Sequence, residues 1–98
     1  PACPMNRSRL SDAEIDARCG AGWQRVDGAL QKRFDFPDYH RTIAFVNALA
    51  WIAHGEDHHP DLSVHYGHCT VRWSTHSAGG ITALDLHCAA RTDALGAA

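Results

Sequence analysis

Three histidines in one stretch of this chain are of the right type and spacing to move protons: His58, His59 and His76. Imidazole has an ordinary pKa of ~6.5, so it both takes and gives a proton near neutrality. A well-placed group of this kind typically contributes ~10²–10⁴-fold to a rate. Pro60 follows the His58-His59 pair and biases His59 toward extended backbone, so a helix does not simply run on through the pair. Consecutive extended residues point in different directions, which gives the two histidines different tasks. His76 stands at the end of a strand that returns from this segment. If that strand end abuts the end of the preceding helix, His58 and His76 face one another across a narrow cleft. They would then act as general acid and general base on opposite edges of one substrate.

Two other readings compete. Isolated histidines are common on surfaces, and His65, His68 and His87 are assigned to solvated strand, turn and helix positions. The second alternative is a metal: His54 and His58 are four residues apart, a spacing that shares one helical face, and His59 or His76 could complete a zinc set. Gly55 weakens a helix at that point, and no cysteine or carboxylate has a recognised metal spacing, so no metal is expected. Asp85 also has two readings. Three residues after Thr82, it completes a capping box and suits the positive end of a helix dipole; orienting a histidine is the other role open to it.

The elements that must hold these groups follow from pattern. Ser11 with Glu14 marks the start of a short helix that Gly20 closes. Asp27-Gly28 is a hairpin signal, with Trp23 and Val26 on the first strand and Leu30, Phe34 and Phe36 on one face of the second. Asp38 caps a long helix in which Tyr39, Ile43, Val46, Ala50 and Ala53 recur at helical spacing, widened by Phe45, Leu49 and Ile52, and Gly55 marks its end. A second hairpin runs from Leu62 to Thr75 around Gly67-His68, with Cys69, Val71, Trp73 and Thr75 alternating. Thr82 then caps a last helix carrying Leu84, Leu86, Cys88 and Leu95. The order predicts an α+β fold, a four-stranded antiparallel sheet with three helices packed on one face.

Ninety-eight residues, 45% of them hydrophobic, fit one domain over positions 1–98 with its first ten residues flexible. A chain this short buries a modest fraction of its surface, so a dimer or tetramer interface would add stability. The formal charge is −2 and the nine Lys and Arg are scattered, which argues against direct nucleic-acid binding. No run is long and apolar enough to span a membrane, and the first residues show no signal-peptide core. Cys3, Cys19, Cys69 and Cys88 lack metal-type pairing and two fall on apolar faces, as expected in a reducing cytosol without a disulfide framework.

With those residues in view, the chain resembles the pterin-4a-carbinolamine dehydratases, also described as dimerization cofactors of a homeodomain transcription factor. The family's pattern is matched by His54, His58-His59-Pro60, Tyr66, His76 and Asp85. Similar text surrounds it: Gly22-Trp23, Phe34-Asp35-Phe36, Phe45, His59-Pro60-Asp61, Val64-His65-Tyr66, Ser74-Thr75-His76 and Gly80-Ile81-Thr82. The resemblance implies dehydration of 4a-hydroxytetrahydropterin to quinonoid dihydropterin, which recycles the pterin used by aromatic amino-acid hydroxylases, the pathway partner so implied. It implies His58 and His76 as the acid–base pair and His59 as a catalytic residue that helps hold the pterin. His54, Asp57, Pro60, Thr75, Ser77 and Ala78 would line the substrate, with no metal or organic cofactor. It further implies a homodimer or homotetramer. Many relatives carry a carboxylate where this chain has His54, and some keep the fold as assembly factors or coactivators, the competing non-catalytic reading.

Overall fold

The computed structural model describes residues 8–96; Cys3 and most of the expected flexible lead-in lie outside the described residues. Within the described part, the Leu10 amide donates to the Ile81 carbonyl at 2.8 Å, which ties the start of the fold to the segment before its last helix.

Helix α1 spans Asp12–Arg18 and starts on the expected capping box: Ser11 Oγ accepts from the Glu14 amide, and the Glu14 carboxylate accepts from the Ser11 amide. Only Ile15 is buried in this short helix, and Arg25 reaches back to Asp12 and Asp16 to hold it. Strands β1 (Gln24–Val26) and β2 (Ala29–Asp35) turn at Asp27 and Gly28, both with positive φ, as a tight two-residue hairpin requires. Leu30 and Phe34 point inward from β2. Lys32 lies between them on the same face, and its stem runs out past Trp23 and Phe34 to an ion pair with Asp93 at 2.7 Å.

Helix α2 spans Tyr39–Glu56 and is capped by the Asp38 carboxylate, which accepts from the Arg41 amide. Its buried stripe is Thr42, Phe45, Leu49, Ile52 and Ala53. Of the expected stripe, Ala53 is buried and Ile43 and Val46 are half-buried, whereas Tyr39 and Ala50 are exposed, because the bulkier Phe45, Leu49 and Ile52 take the sheet-facing side. Gly55 does not end this helix: hydrogen bonding carries it to Glu56, and Asp57 closes it in the left-handed conformation.

Strand β3 (Asp61–Val64) is an exposed edge, while β4 (His68–Trp73) lies between β2 and β3, giving the order β1-β2-β4-β3 with every pairing antiparallel. Cys69, Val71 and Trp73 of β4 point inward and are fully buried. Helix α3 (Ala83–Gly96) buries Leu84, Cys88 and Ala89 against them, and its Thr92 hydroxyl accepts the Trp73 indole N–H at 3.1 Å. All three helices contribute to the one core beneath the sheet, the α+β arrangement expected.

Candidate active site

At the end of α2 the chain must reverse, and left-handed Asp57 (φ 50°, ψ 43°) makes the turn. The His58 amide still bonds to the Ala53 carbonyl, so His58 leaves the helix end with its ring directed under the sheet. There it stacks on Trp73, with centroids 5.5 Å apart and planes at 18°, and its Nε2 lies 2.5 Å from Asp85 Oδ1. His58 retains 8% of its surface and Asp85 none.

Asp85 realises both of its readings, one oxygen for each. Oδ2 accepts from the Thr82 amide at 2.9 Å, which completes half of a capping box, and from the Thr75 hydroxyl at 2.8 Å. The Thr82 hydroxyl donates in turn to Thr75 at 2.9 Å. With Oδ2 surrounded by donors, the carboxylate acts as acceptor throughout, and the hydrogen-bond network assigns the proton of the His58 ring to Nε2. In the neutral ring Nδ1 then carries a lone pair. Nδ1 has no partner among the described residues, and every buried side-chain nitrogen or oxygen among them has one, so Nδ1 is open to solvent.

The opening is an open cleft of about 270 Å³ lined by Asp57, His58, His59, Ser74, Thr75, His76 and Ser77. His76 begins a single 3₁₀ turn, His76–Ala78, closed by left-handed Gly79 and held at its base by the Thr75–Gly80 bridge. His59 and His76 are exposed, and the three histidines thus share one cleft with graded burial. Thr75 is 2% exposed and spends its hydroxyl on Asp85.

The other expected site residues lie elsewhere. His54 is exposed on α2, edge-on to Trp51, and does not line the cleft. Because Asp57 turns the chain between them, His54 and His58 do not share a helical face. No group of three ligating side chains among the described residues could hold a metal. Pro60 lines an adjoining apolar hollow with Leu49, Ala50, Ala53 and Leu62, and His59 forms the wall between the two spaces. Ala78 is half-buried and does not line the cleft. His87, expected to be merely solvated, bonds to Glu56 at 2.9 Å; Arg91 bonds to the same carboxylate oxygen at 2.7 Å, holding the Glu56 carboxyl below its usual range. His65 and His68 stack at 4.2 Å at the tip of the second hairpin, away from the cleft.

Ser74, Trp73 and Thr82 were absent from the expected site. The inward alternation of β4 through Trp73 to Thr75 was the signal for Trp73; nothing in local pattern marks Ser74.

Residues 8–95 match the family model for pterin 4 alpha carbinolamine dehydratase. The chain belongs to that family. Among curated members of this dehydratase family, it is 59% identical over 76 residues to a protein of Stenotrophomonas maltophilia named "Putative pterin-4-alpha-carbinolamine dehydratase", covering 76% of this chain and 66% of that protein. A protein of the same name from Chromobacterium violaceum is 59% identical over 73 residues, covering 74% and 68%. The chain therefore spans about two thirds of the length of the curated relatives it matches. Among solved dehydratase folds, a Brucella melitensis "transcriptional coactivator/pterin dehydratase" superposes with a TM-score of 0.85 at 33% identity, covering 91% of this chain and 99% of that one. A pterin dehydratase-like RuBisCO assembly factor of the alpha-carboxysome superposes at 0.63 and 28% identity, covering 76% and 86%.

Proposed function

We propose that this chain dehydrates 4a-hydroxytetrahydropterin to quinonoid dihydropterin and water by histidine acid–base catalysis. The observation that carries the reading is the Asp85–His58 pair: a buried carboxylate fixes one tautomer and leaves the other ring nitrogen open on a cleft that two exposed histidines share. A structural histidine needs no such exposed lone pair. In the proposed step, His58 Nδ1 takes the N5 proton and the electrons of that N–H bond form the N5=C4a bond. The C4a–O bond breaks as His76 gives a proton to the departing hydroxyl, so one proton is taken, one given, and water leaves. His59, at the cleft wall, helps hold the ring, with Asp57 and Ser77 at its rim. The protein's own imidazoles supply all the proton transfers this step requires.

The likeness to an assembly factor supports a second reading, a non-catalytic module of the same fold. Adding the purified protein to a pterin-dependent hydroxylase reaction discriminates them: the dehydratase shortens the lifetime of the 4a-carbinolamine absorbance, and the module leaves it unchanged. The cellular setting consistent with the first reading is a cytoplasmic one, where an aromatic amino-acid hydroxylase generates the substrate. No helix among the described residues is long and apolar enough to cross a membrane. A homodimer or homotetramer is part of the proposal. The unpaired edge β3, with Leu62 and Val64 37% and 39% exposed, and Trp51 at 76% exposure on α2 are surfaces that such an assembly would cover.

A further inference from the structure

We propose that Glu56 is a positioning residue for His58, clamping the exit of α2 onto α3 so that the His58 ring meets Asp85 in register, an inference that rests on the dehydratase reading above. His58 and Asp85 are carried by different helices: His58 follows the last turn of α2, and Asp85 stands in the first turn of α3. That last turn of α2 is weak by composition. Gly55 lies in it although a Cβ there would meet nothing within 4 Å, so no close approach demands the glycine, and glycine loosens a helix. His54 and Asp57 are exposed, and the chain leaves through the left-handed Asp57.

Glu56 supplies the hold that this turn lacks. It is the last residue of the helix, where the backbone dipole repels a carboxylate. Its side chain is nevertheless only 11% exposed, and one oxygen, Oε2, takes both the His87 ring at 2.9 Å and the Arg91 guanidinium at 2.7 Å. Both partners stand on α3. The two attachments run in step: Glu56 precedes His58 by two residues, and His87 follows Asp85 by two, so the outer tie brackets the inner one. A single bond from His58 to Asp85 leaves the end of α2 free to pivot about it. A second attachment so close by removes that freedom, and a misplacement of about 1 Å at a reacting group costs on the order of 10²-fold in rate.

The test compares wild type, Glu56→Ala, Glu56→Gln and the α3-side double variant His87→Ala/Arg91→Ala by carbinolamine decay and by amide hydrogen exchange, each below its melting range. Glu56→Ala should lose ~10-fold in kcat with KM held within about twofold, because Glu56 does not line the cleft. Exchange at the His58 amide, which bonds to the Ala53 carbonyl, should quicken at least ~10-fold more than exchange at Val71, buried in the central strand β4. The double variant should match Glu56→Ala, since it removes the same tie from the other side. Glu56→Gln keeps an oxygen that accepts from both partners and should stay within about threefold of the wild-type kcat. A Glu56→Ala or double-variant kcat within about twofold of wild type overturns the clamp. So does a Glu56→Gln variant as slow as Glu56→Ala, or protection lost at Val71 as much as at His58, which would make Glu56 a stabiliser of the whole fold. Wild type without turnover overturns the dehydratase reading instead, and the exchange comparison then decides the clamp by itself.

Discussion

Replacing Asp85 by Asn changes one atom and keeps the volume, yet the geometry gives the amide no satisfactory orientation. In the native site, Oδ1 faces the His58 Nε2 proton while Oδ2 faces the Thr82 amide and the Thr75 hydroxyl. If the Asn carbonyl stays with Thr75 and Thr82, its NH₂ meets His58, and the ring must switch tautomer, moving its proton to the Nδ1 that should accept one. If the carbonyl turns to His58, the NH₂ faces the Thr82 amide, and a donor is stranded in a fully buried position. Losing charge-assisted hydrogen bonds costs ~1.5–3 kcal/mol each, and a stranded buried donor ~1–3 kcal/mol, so the expected destabilisation is about 2–4 kcal/mol after relaxation. At about 4–8 °C per kcal/mol for a domain this small, the melting temperature should fall by roughly 8–32 °C. Among folded molecules turnover should fall by ~10²–10⁴-fold, the range for a misdirected acid–base group. The assays are carbinolamine decay at a temperature where the variant is folded, and ¹⁵N NMR of the imidazole nitrogens, which reports the tautomer directly. A variant that keeps its rate within about threefold and its Nε2–H tautomer would refute the account of Asp85 as the residue that orients His58.

Four further outcomes follow from the same structure. His76→Ala should slow turnover at least ~10²-fold yet change stability by less than ~1 kcal/mol, because the ring is exposed; equal thermal loss would show that it is structural. His58→Ala should slow turnover similarly but also destabilise by ~3–5 kcal/mol, since it leaves a buried carboxylate without its partner; chemical denaturation measures the difference. Arg91, then His87, holds the Glu56 carboxyl below its usual range, so Glu56 stabilises the fold above the unfolded-state carboxylate pKa, and that contribution is lost as pH falls through the lowered folded value. The stability difference between wild type and Glu56→Gln should therefore shrink on acidification, and a difference that stays constant below pH ~4 contradicts the ion pair. Asp93→Ala removes the partner of both Lys32 Nζ and the Trp23 indole N–H and should cost about 1–3 kcal/mol by thermal melt. No change would mean that water replaces it.

The element order, both hairpins, the Ser11 and Asp38 caps and the histidine cluster are legible in the chain because each depends on neighbours a few residues apart. Asp27-Gly28 specifies its turn, and the alternation Cys69, Val71, Trp73 specifies an inward face, without reference to anything distant. Local pattern does not rank competing stripes on α2, where several apolar residues lie all round, so which flank is buried depended on the shape of the sheet beneath it. Gly55 suggested a helix end on propensity alone, but packing of Ile52 and Ala53 held the helix one residue further.

The site divides along the same line. Residue type and spacing marked His58, His59 and His76 as candidates, since imidazole chemistry is a property of the side chain. The tertiary structure decided their inequality: bonds spanning 27 and 10 residues join His58 to Asp85 and Asp85 to Thr75, burying one histidine while the other two stay in solvent. A hydrogen bond across that separation leaves no periodicity in the chain, so only the folded arrangement of α3 against the end of α2 could separate the oriented histidine from its exposed companions.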